Sequence, residues 1–151
     1  MMAWHIDEKV AFSRIPGKED LATLKGHFEC IVILAPEFEL PYGIKDLLAM
    51  GFRVLHVPIP DLEAPSLDEL RAIVNWIQNE VGTGRRVLIA CSSGCGRSGT
   101  VAVAWLMYSG GLSLREALVT VRKIRHCAVE TEGQMTALQK FEHYLKNVEK
   151  S

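Results

Sequence analysis

Two short runs, Cys30-Ile31-Val32-Ile33-Leu34-Ala35 and Arg86-Val87-Leu88-Ile89-Ala90, hold almost nothing but apolar, largely β-branched residues. A strand with one wet face alternates apolar with polar. A strand that is apolar at every position needs cover on both faces, as in a parallel sheet enclosed by helices. Arg53-Val54-Leu55-His56-Val57-Pro58 reads as a third strand, and the pieces around Trp4–Asp7 and Val10–Ser13 read as an edge hairpin. At 151 residues the chain has room for one such sheet and one core, so residues 1–151 are expected to form a single domain. The expected architecture is α/β, with a central, mainly parallel sheet of four to five strands flanked by helices.

The helices are marked by their caps. Ser66 with Glu69, Ser113 with Glu116 and Thr131 with Gln134 each form a capping box ahead of an apolar stripe. Those stripes are Leu70, Ile73, Val74, Ile77 and Val81; then Ala117, Leu118, Val121 and Ile124; then Leu138, Phe141, Leu145 and Val148. Residues Val101 to Tyr108 are apolar all round, which predicts an enclosed helix stopped by Gly110-Gly111. That run is too short to span a bilayer, and Met1–Asp7 lacks the basic stretch and apolar core of a signal peptide.

Seventeen Lys and Arg stand against 18 Asp and Glu, so no global field favours nucleic acid or a membrane surface. Any preference for anions must come from a local site. Cysteines 30, 91, 95 and 127 lack zinc-ligand spacing, and reduced thiols in a cytoplasmic protein are the expectation.

Ala90-Cys91-Ser92-Ser93-Gly94-Cys95-Gly96-Arg97-Ser98-Gly99-Thr100 is the local site. A buried strand ends at Cys91, a loop with two glycines follows, and the enclosed helix begins near Arg97. Gly94 and Gly96 allow consecutive backbone N–H groups, with those of Ser92, Ser93 and Cys95, to turn inward around a tetrahedral anion. The helix start adds unpaired N–H groups and a positive dipole end, which also favour the thiolate of Cys91. Arg97 offers a planar fork for two phosphate oxygens, and Ser98 a hydroxyl that can hydrogen-bond the sulfur. A buried cysteine beside a connecting turn is the plainer reading, but it does not account for the coincidence of strand end, glycines, arginine and helix start.

Cys91-x5-Arg97-Ser98 resembles the phosphate-binding loop of the protein tyrosine phosphatase superfamily, His-Cys-x5-Arg-Ser/Thr. The short chain is most similar to the compact dual-specificity branch, especially its archaeal and bacterial members. The resemblance runs from the strand at Cys30 to the last helix. It implies hydrolysis of phosphate monoesters on protein tyrosine, and on serine or threonine, through a cysteinyl-phosphate, without metal or cofactor. Partners would be phosphorylated proteins or peptides, with phosphate and other oxyanions as inhibitors and a monomer expected. Ala90 departs from the pattern where relatives carry histidine, implying lower activity or a more mobile loop. A phosphate-binding pseudophosphatase module is the alternative that Ala90 supports.

The resemblance also places a general acid. Asp61, in Val57-Pro58-Ile59-Pro60-Asp61-Leu62-Glu63, lies between a strand and a capped helix and matches the family's mobile acid loop. A turn aspartate between prolines is the plainer reading. Gln134 resembles a glutamine that orients the attacking water, although it is also the capping partner of Thr131. Glu130 is the candidate auxiliary acid, with Glu132 behind it.

Other residues read less sharply. Phe38 could stack on a substrate ring or simply pack in its loop. Cys95 could close a disulfide that shields Cys91 or point away as filler, and Cys30 is a second candidate resolving thiol. Cys127 has no assigned role. Arg122, Lys123, Arg125 and His126 could attract phosphorylated ligands, but such a run is more often a solvated helix face. Phosphoinositide phosphatases usually carry lysines in this loop, where Ser92, Ser93 and Cys95 are neutral. Low-molecular-weight phosphatases place the acid after the cysteine, not before it.

Overall fold

The computed structural model describes residues 1–149. Strands β1 (Ala3–His5), β2 (Val10–Arg14), β3 (Cys30–Ile33), β4 (Arg53–His56) and β5 (Val87–Cys91) form one sheet in the order β1-β2-β5-β3-β4. Only the β1–β2 edge is antiparallel. The remaining pairs are parallel, with Phe12 and Val32 both in register with Ile89. β5 is thus central, and its carboxyl end at Cys91 lies in the middle of the sheet's edge.

Apart from Arg86, both apolar runs are wholly buried, and the alternation of their side chains sorts them onto two faces. Val32, Val87, Ile89 and Cys91 face α3 (Leu67–Gly82), α4 (Gly96–Gly110), α5 (Leu114–Ile124) and α6 (Glu132–Glu149). Ile31, Ile33, Leu88 and Ala90 face Leu21 and Leu24 of α1 (Leu21–Lys25) and Leu47 of α2 (Ile44–Ala49). The two short helices α1 and α2 lack a Ser or Thr cap, and α2 has only Asp46 accepting the Gly43 N–H at 2.8 Å, which is why sequence patterns pass over them. Ala90 therefore points away from Cys91, into the layer beneath the sheet.

The expected caps are present. Ser66 Oγ accepts from the Glu69 N–H at 3.1 Å while Glu69 accepts from the Ser66 N–H at 2.9 Å, and Ser113 with Glu116 repeats the geometry. Each such cap contributes about 1 kcal/mol. α4 is buried along most of its length between the sheet and α3, α5 and α6, which its all-round apolar sequence requires. β3 and β4 end earlier than the apolar runs suggest, at Ile33 and His56. Their chains continue side by side, with the Val57 and Ile59 N–H groups donating to the Ile33 and Leu34 carbonyls at 2.9 Å. Among the described residues no helix is long and apolar enough to cross a membrane.

Candidate active site

The loop after β5 turns directly into α4, and the geometry starts with its sulfur. Cys91 is buried, with Sγ 3.1 Å from Ser98 Oγ and accepting the Ser98 N–H at 3.3 Å. Ser98 lies in the first turn of α4, so the sulfur faces the positive end of a 15-residue helix. Gly94 has φ of 68°, and a Cβ there would lie 2.8 Å from both the Arg14 nitrogen and the Trp4 ring. Only glycine satisfies both the left-handed backbone and that approach.

Arg97, also in the first turn of α4, is 2% exposed and held at one edge of its fork. Nη1 donates to the Ile59 carbonyl at 2.8 Å and to Glu39 Oε2 at 3.1 Å, and Nη2 donates to Glu39 Oε1 at 2.8 Å. Burial opposes the guanidinium charge, but Glu39, the Cys91 sulfur and Asp61 together outweigh it and raise the pKa. Glu39 is held below the usual carboxylate range, chiefly by Arg97 and further by Ser92, whose hydroxyl donates to Oε1; burial opposes both. Because the carboxylate takes the Nη1/Nη2 edge, the Nε side of the fork makes no hydrogen bond among the described residues. That side has the planar donor geometry that suits an oxyanion.

Asp61 sits at the tip of the loop after β4. Its Oδ1 is 3.5 Å from Arg97 Nη2, and its side chain is 65% exposed. The loop is anchored by buried Ile59, whose N–H and carbonyl are both hydrogen-bonded. Beyond that anchor Leu62 takes φ of 69°, an unusual backbone for a branched residue. The α5–α6 connection closes the third side. Thr131 Oγ1 donates to the Leu62 carbonyl at 3.1 Å, and Gln134 Nε2 donates to the Glu63 carbonyl at 3.1 Å. A Cβ on Gly96 would stand 2.6 Å from Glu130 Oε1 and 2.8 Å from Gln134 Nε2, so both side chains press on the phosphate loop.

Cys91, Arg97, Ser98, Asp61, Gln134, Glu130 and the loop from Ser92 to Gly96 therefore converge at one sheet edge. Gln134 is fully buried, with Oε1 accepting from the Glu130 and Thr131 N–H groups at 2.8 and 3.2 Å. Its carboxamide is committed to holding the Asp61 loop and its own loop together, and engaging a water requires exchanging one of those bonds. Glu132 opens α6 and is exposed. Phe38 is 86% exposed in a 3-10 turn over Glu37–Glu39, not packed into its loop.

Several expectations need correction. Cys95 and Cys127 are joined in a disulfide, so not all four thiols are reduced, and Cys95 neither pairs with Cys91 nor merely fills the loop. Cys30 is no resolving thiol. It is in register with Val87, four residues along β5 from Cys91, or roughly 13 Å at the rise of a strand. Burial, then its bond to Glu80, pushes its thiol up to about 12. Arg122 and Arg125 do not form a solvated face. Arg122 donates to the Ala128 and Val129 carbonyls, and Arg125 donates to those of Ser93 and Gly94 with its guanidinium 4.1 Å above the Trp4 ring.

Sequence reasoning missed Glu39 outright. It stopped one residue short, at Phe38, because a carboxylate in a short loop after a strand looks like any solvated residue. The available signal was topological: that loop leaves β3 at the same edge as Cys91.

Residues 28–144 match the family described as dual specificity phosphatase, catalytic domain. The structure superposes on that of Tk-PTP in its active form with a TM-score of 0.92 and 50% identity, covering 93% of this chain and 96% of that one. In sequence the chain is 37% identical to the uncharacterized protein MJECL20 of Methanocaldococcus jannaschii, over 56% of each chain. It is 28% identical to the phosphatidylglycerophosphate phosphatase PTPMT2 of Arabidopsis thaliana, over 90% of this chain and 60% of that one. The chain thus spans little more than half the length of these two relatives. With the matched residues containing the cysteine–arginine loop, the Asp61 loop and the segment from Glu130 to Gln134, the chain belongs to the dual-specificity phosphatase family.

Proposed function

We propose that residues 1–151 act as a single phosphatase domain that hydrolyses phosphate monoesters on protein tyrosine, and by the same chemistry on serine or threonine. The observation that carries this is a buried sulfur, hydrogen-bonded by Ser98, with a buried arginine six residues on that is close enough for its charge to be favoured by that sulfur. The Cys91 thiolate attacks phosphorus in line, the phosphorus–oxygen bond to the leaving group breaks, and Asp61 protonates the departing oxygen. Arg97 and the loop amides stabilise the equatorial oxygens. Water, oriented by Gln134 and deprotonated by Asp61, then displaces the sulfur and releases phosphate. Glu130 stands close enough to the loop to share the proton transfers.

Protein rather than lipid is favoured by the mouth of the site. Glu37, Asp61, Glu63, Glu130 and Glu132 are carboxylates in the segments around it, and they repel an anionic membrane surface. The test is hydrolysis of p-nitrophenyl phosphate in chelator, with and without vanadate, beside the Cys91→Ser variant. Turnover that needs Cys91 and is lost with vanadate is expected. Equal, negligible rates in both proteins, with phosphopeptide still bound, would establish the pseudophosphatase instead. Phosphopeptides and phosphoinositide vesicles assayed side by side separate the two substrate classes.

A further inference from the structure

Neither the Cys95 nor the Cys127 sulfur is given a part in phosphoryl transfer, yet their disulfide spans 32 residues and lands inside the phosphate loop. Cys95 immediately precedes α4, and Cys127 lies in the α5–α6 connection just before Glu130. The bridge is accompanied by weaker ties between the same segments. Arg125 Nη2 and Nε donate to the Ser93 and Gly94 carbonyls at 3.1 and 3.3 Å. The Val129 N–H reaches the Cys95 carbonyl at 3.4 Å. With the bridge closed, the loop that carries the nucleophile and the segment that presents Glu130 are covalently one piece.

The two ends of the bridge differ. Cys95 is buried, whereas Cys127 is partly open to solvent. Cys95 Sγ is also 3.4 Å from Arg125 Nη2 and stands at the start of a long helix. A nearby guanidinium and a helix N-terminus both favour a thiolate at that sulfur. A sulfur that is stable as thiolate leaves readily, so exchange proceeds by attack on the accessible Cys127 with Cys95 departing. Accessibility at one end and a good leaving group at the other characterise a reversible bridge, in contrast to an inert buried staple.

We propose that Cys95 and Cys127 form a reversible thiol–disulfide site through which a dithiol reductant controls the catalytic loop, the closed bridge being the more active form. The effect on turnover rests on the phosphatase reading; the thiol chemistry does not. In opening, a thiolate of the reductant attacks Cys127 Sγ, the bond to Cys95 Sγ breaks, and Cys95 takes the electron pair. The reductant's second thiol then displaces Cys127. The reductant leaves as a disulfide after giving two electrons, and two protons remain with the cysteines. In closing, oxidised glutathione accepts the two electrons and leaves as two molecules of glutathione. Once the bridge opens, the two segments keep the Arg125 and Val129 hydrogen bonds and the packing of Glu130 and Gln134 against Gly96, but no covalent tie.

The full chain and its Cys127→Ser variant are equilibrated in glutathione buffers from reducing to oxidising, then quenched, alkylated and mapped by mass spectrometry. Hydrogen exchange over 92–96 and 126–131 and turnover of p-nitrophenyl phosphate are followed in the same buffers. Oxidation of Cys91 is read from the same mass maps, so the ratio of kcat/KM values taken per reduced Cys91 isolates the bridge. Cys95 and Cys127 should become alkylated together as the buffer turns reducing, with exchange rising in both segments. The wild-type to variant ratio should fall from about tenfold to unity, within the roughly hundredfold that a displacement of one ångström can cause. Full alkylation of both cysteines in every buffer would overturn the proposal, as would opening that changes neither exchange nor the ratio. Absent turnover in all buffers with the alkylation and exchange changes intact would remove the phosphatase reading and support the redox site.

Discussion

Replacing Glu39 by glutamine tests how Arg97 is held. The pair is buried, with side chains 15% and 2% exposed, and the carboxylate makes two charge-assisted bonds to the guanidinium and accepts one from Ser92. Removing one partner of a buried ion pair costs about 3–5 kcal/mol, because the other charge is left uncompensated. Glutamine keeps one acceptor oxygen, and the Ile59 carbonyl still accepts from Nη1, so the expected loss is about 2 kcal/mol. Urea unfolding reads it as a lower midpoint at unchanged slope. Because the guanidinium is no longer fixed at one edge, kcat/KM for an aryl phosphate should fall by about 10–100-fold. The pH dependence supplies an independent check. Arg97 lowers the folded-state pKa of Glu39 from its ordinary 4.5, so the stabilisation is full above that value and is lost as pH falls through the folded value. The wild-type advantage over the variant should therefore shrink steadily below about pH 4.5. A variant within about 0.5 kcal/mol of wild type at pH 7, the range of neutral surface changes, and within twofold in rate would refute this account of how Arg97 is fixed.

Two further outcomes are expected. Asp61→Asn should lower kcat by only about tenfold, short of the 10²–10⁴ typical for a sole general acid, and adding Glu130→Gln should lower it further; a double variant no slower than Asp61→Asn would exclude Glu130. Iodoacetamide at neutral pH should label Cys91 and spare Cys30, whose thiol burial and Glu80 push up to about 12; labelling of Cys30 in the native protein would contradict its placement.

Contiguous features were legible in the chain. The apolar runs required a doubly covered sheet, the capping boxes marked three helices, and the stretch from Cys91 to Ser98 contains its own strand end, turn and helix start. In such a stretch covalent linkage and local backbone preference set the geometry, so residue order alone carries the chemistry. Gln134 shows the limit: the capping box with Thr131 that the sequence offered is present, but the same carboxamide also bridges two loops, which residue order does not reveal.

What the sequence left undecided lies between segments. Glu39 meets Arg97 across 58 positions, Glu80 gathers Arg53, Arg85 and the Cys30 thiol, and Cys127 finds Cys95. These contacts form where the strand order β1-β2-β5-β3-β4 and the helices packed on the sheet bring distant parts of the chain together. Strand order follows from packing both faces at once, a collective outcome that no single segment encodes. A carboxylate, a cysteine or an arginine reads the same whether it meets solvent or a partner, and only the assembled tertiary structure decides which.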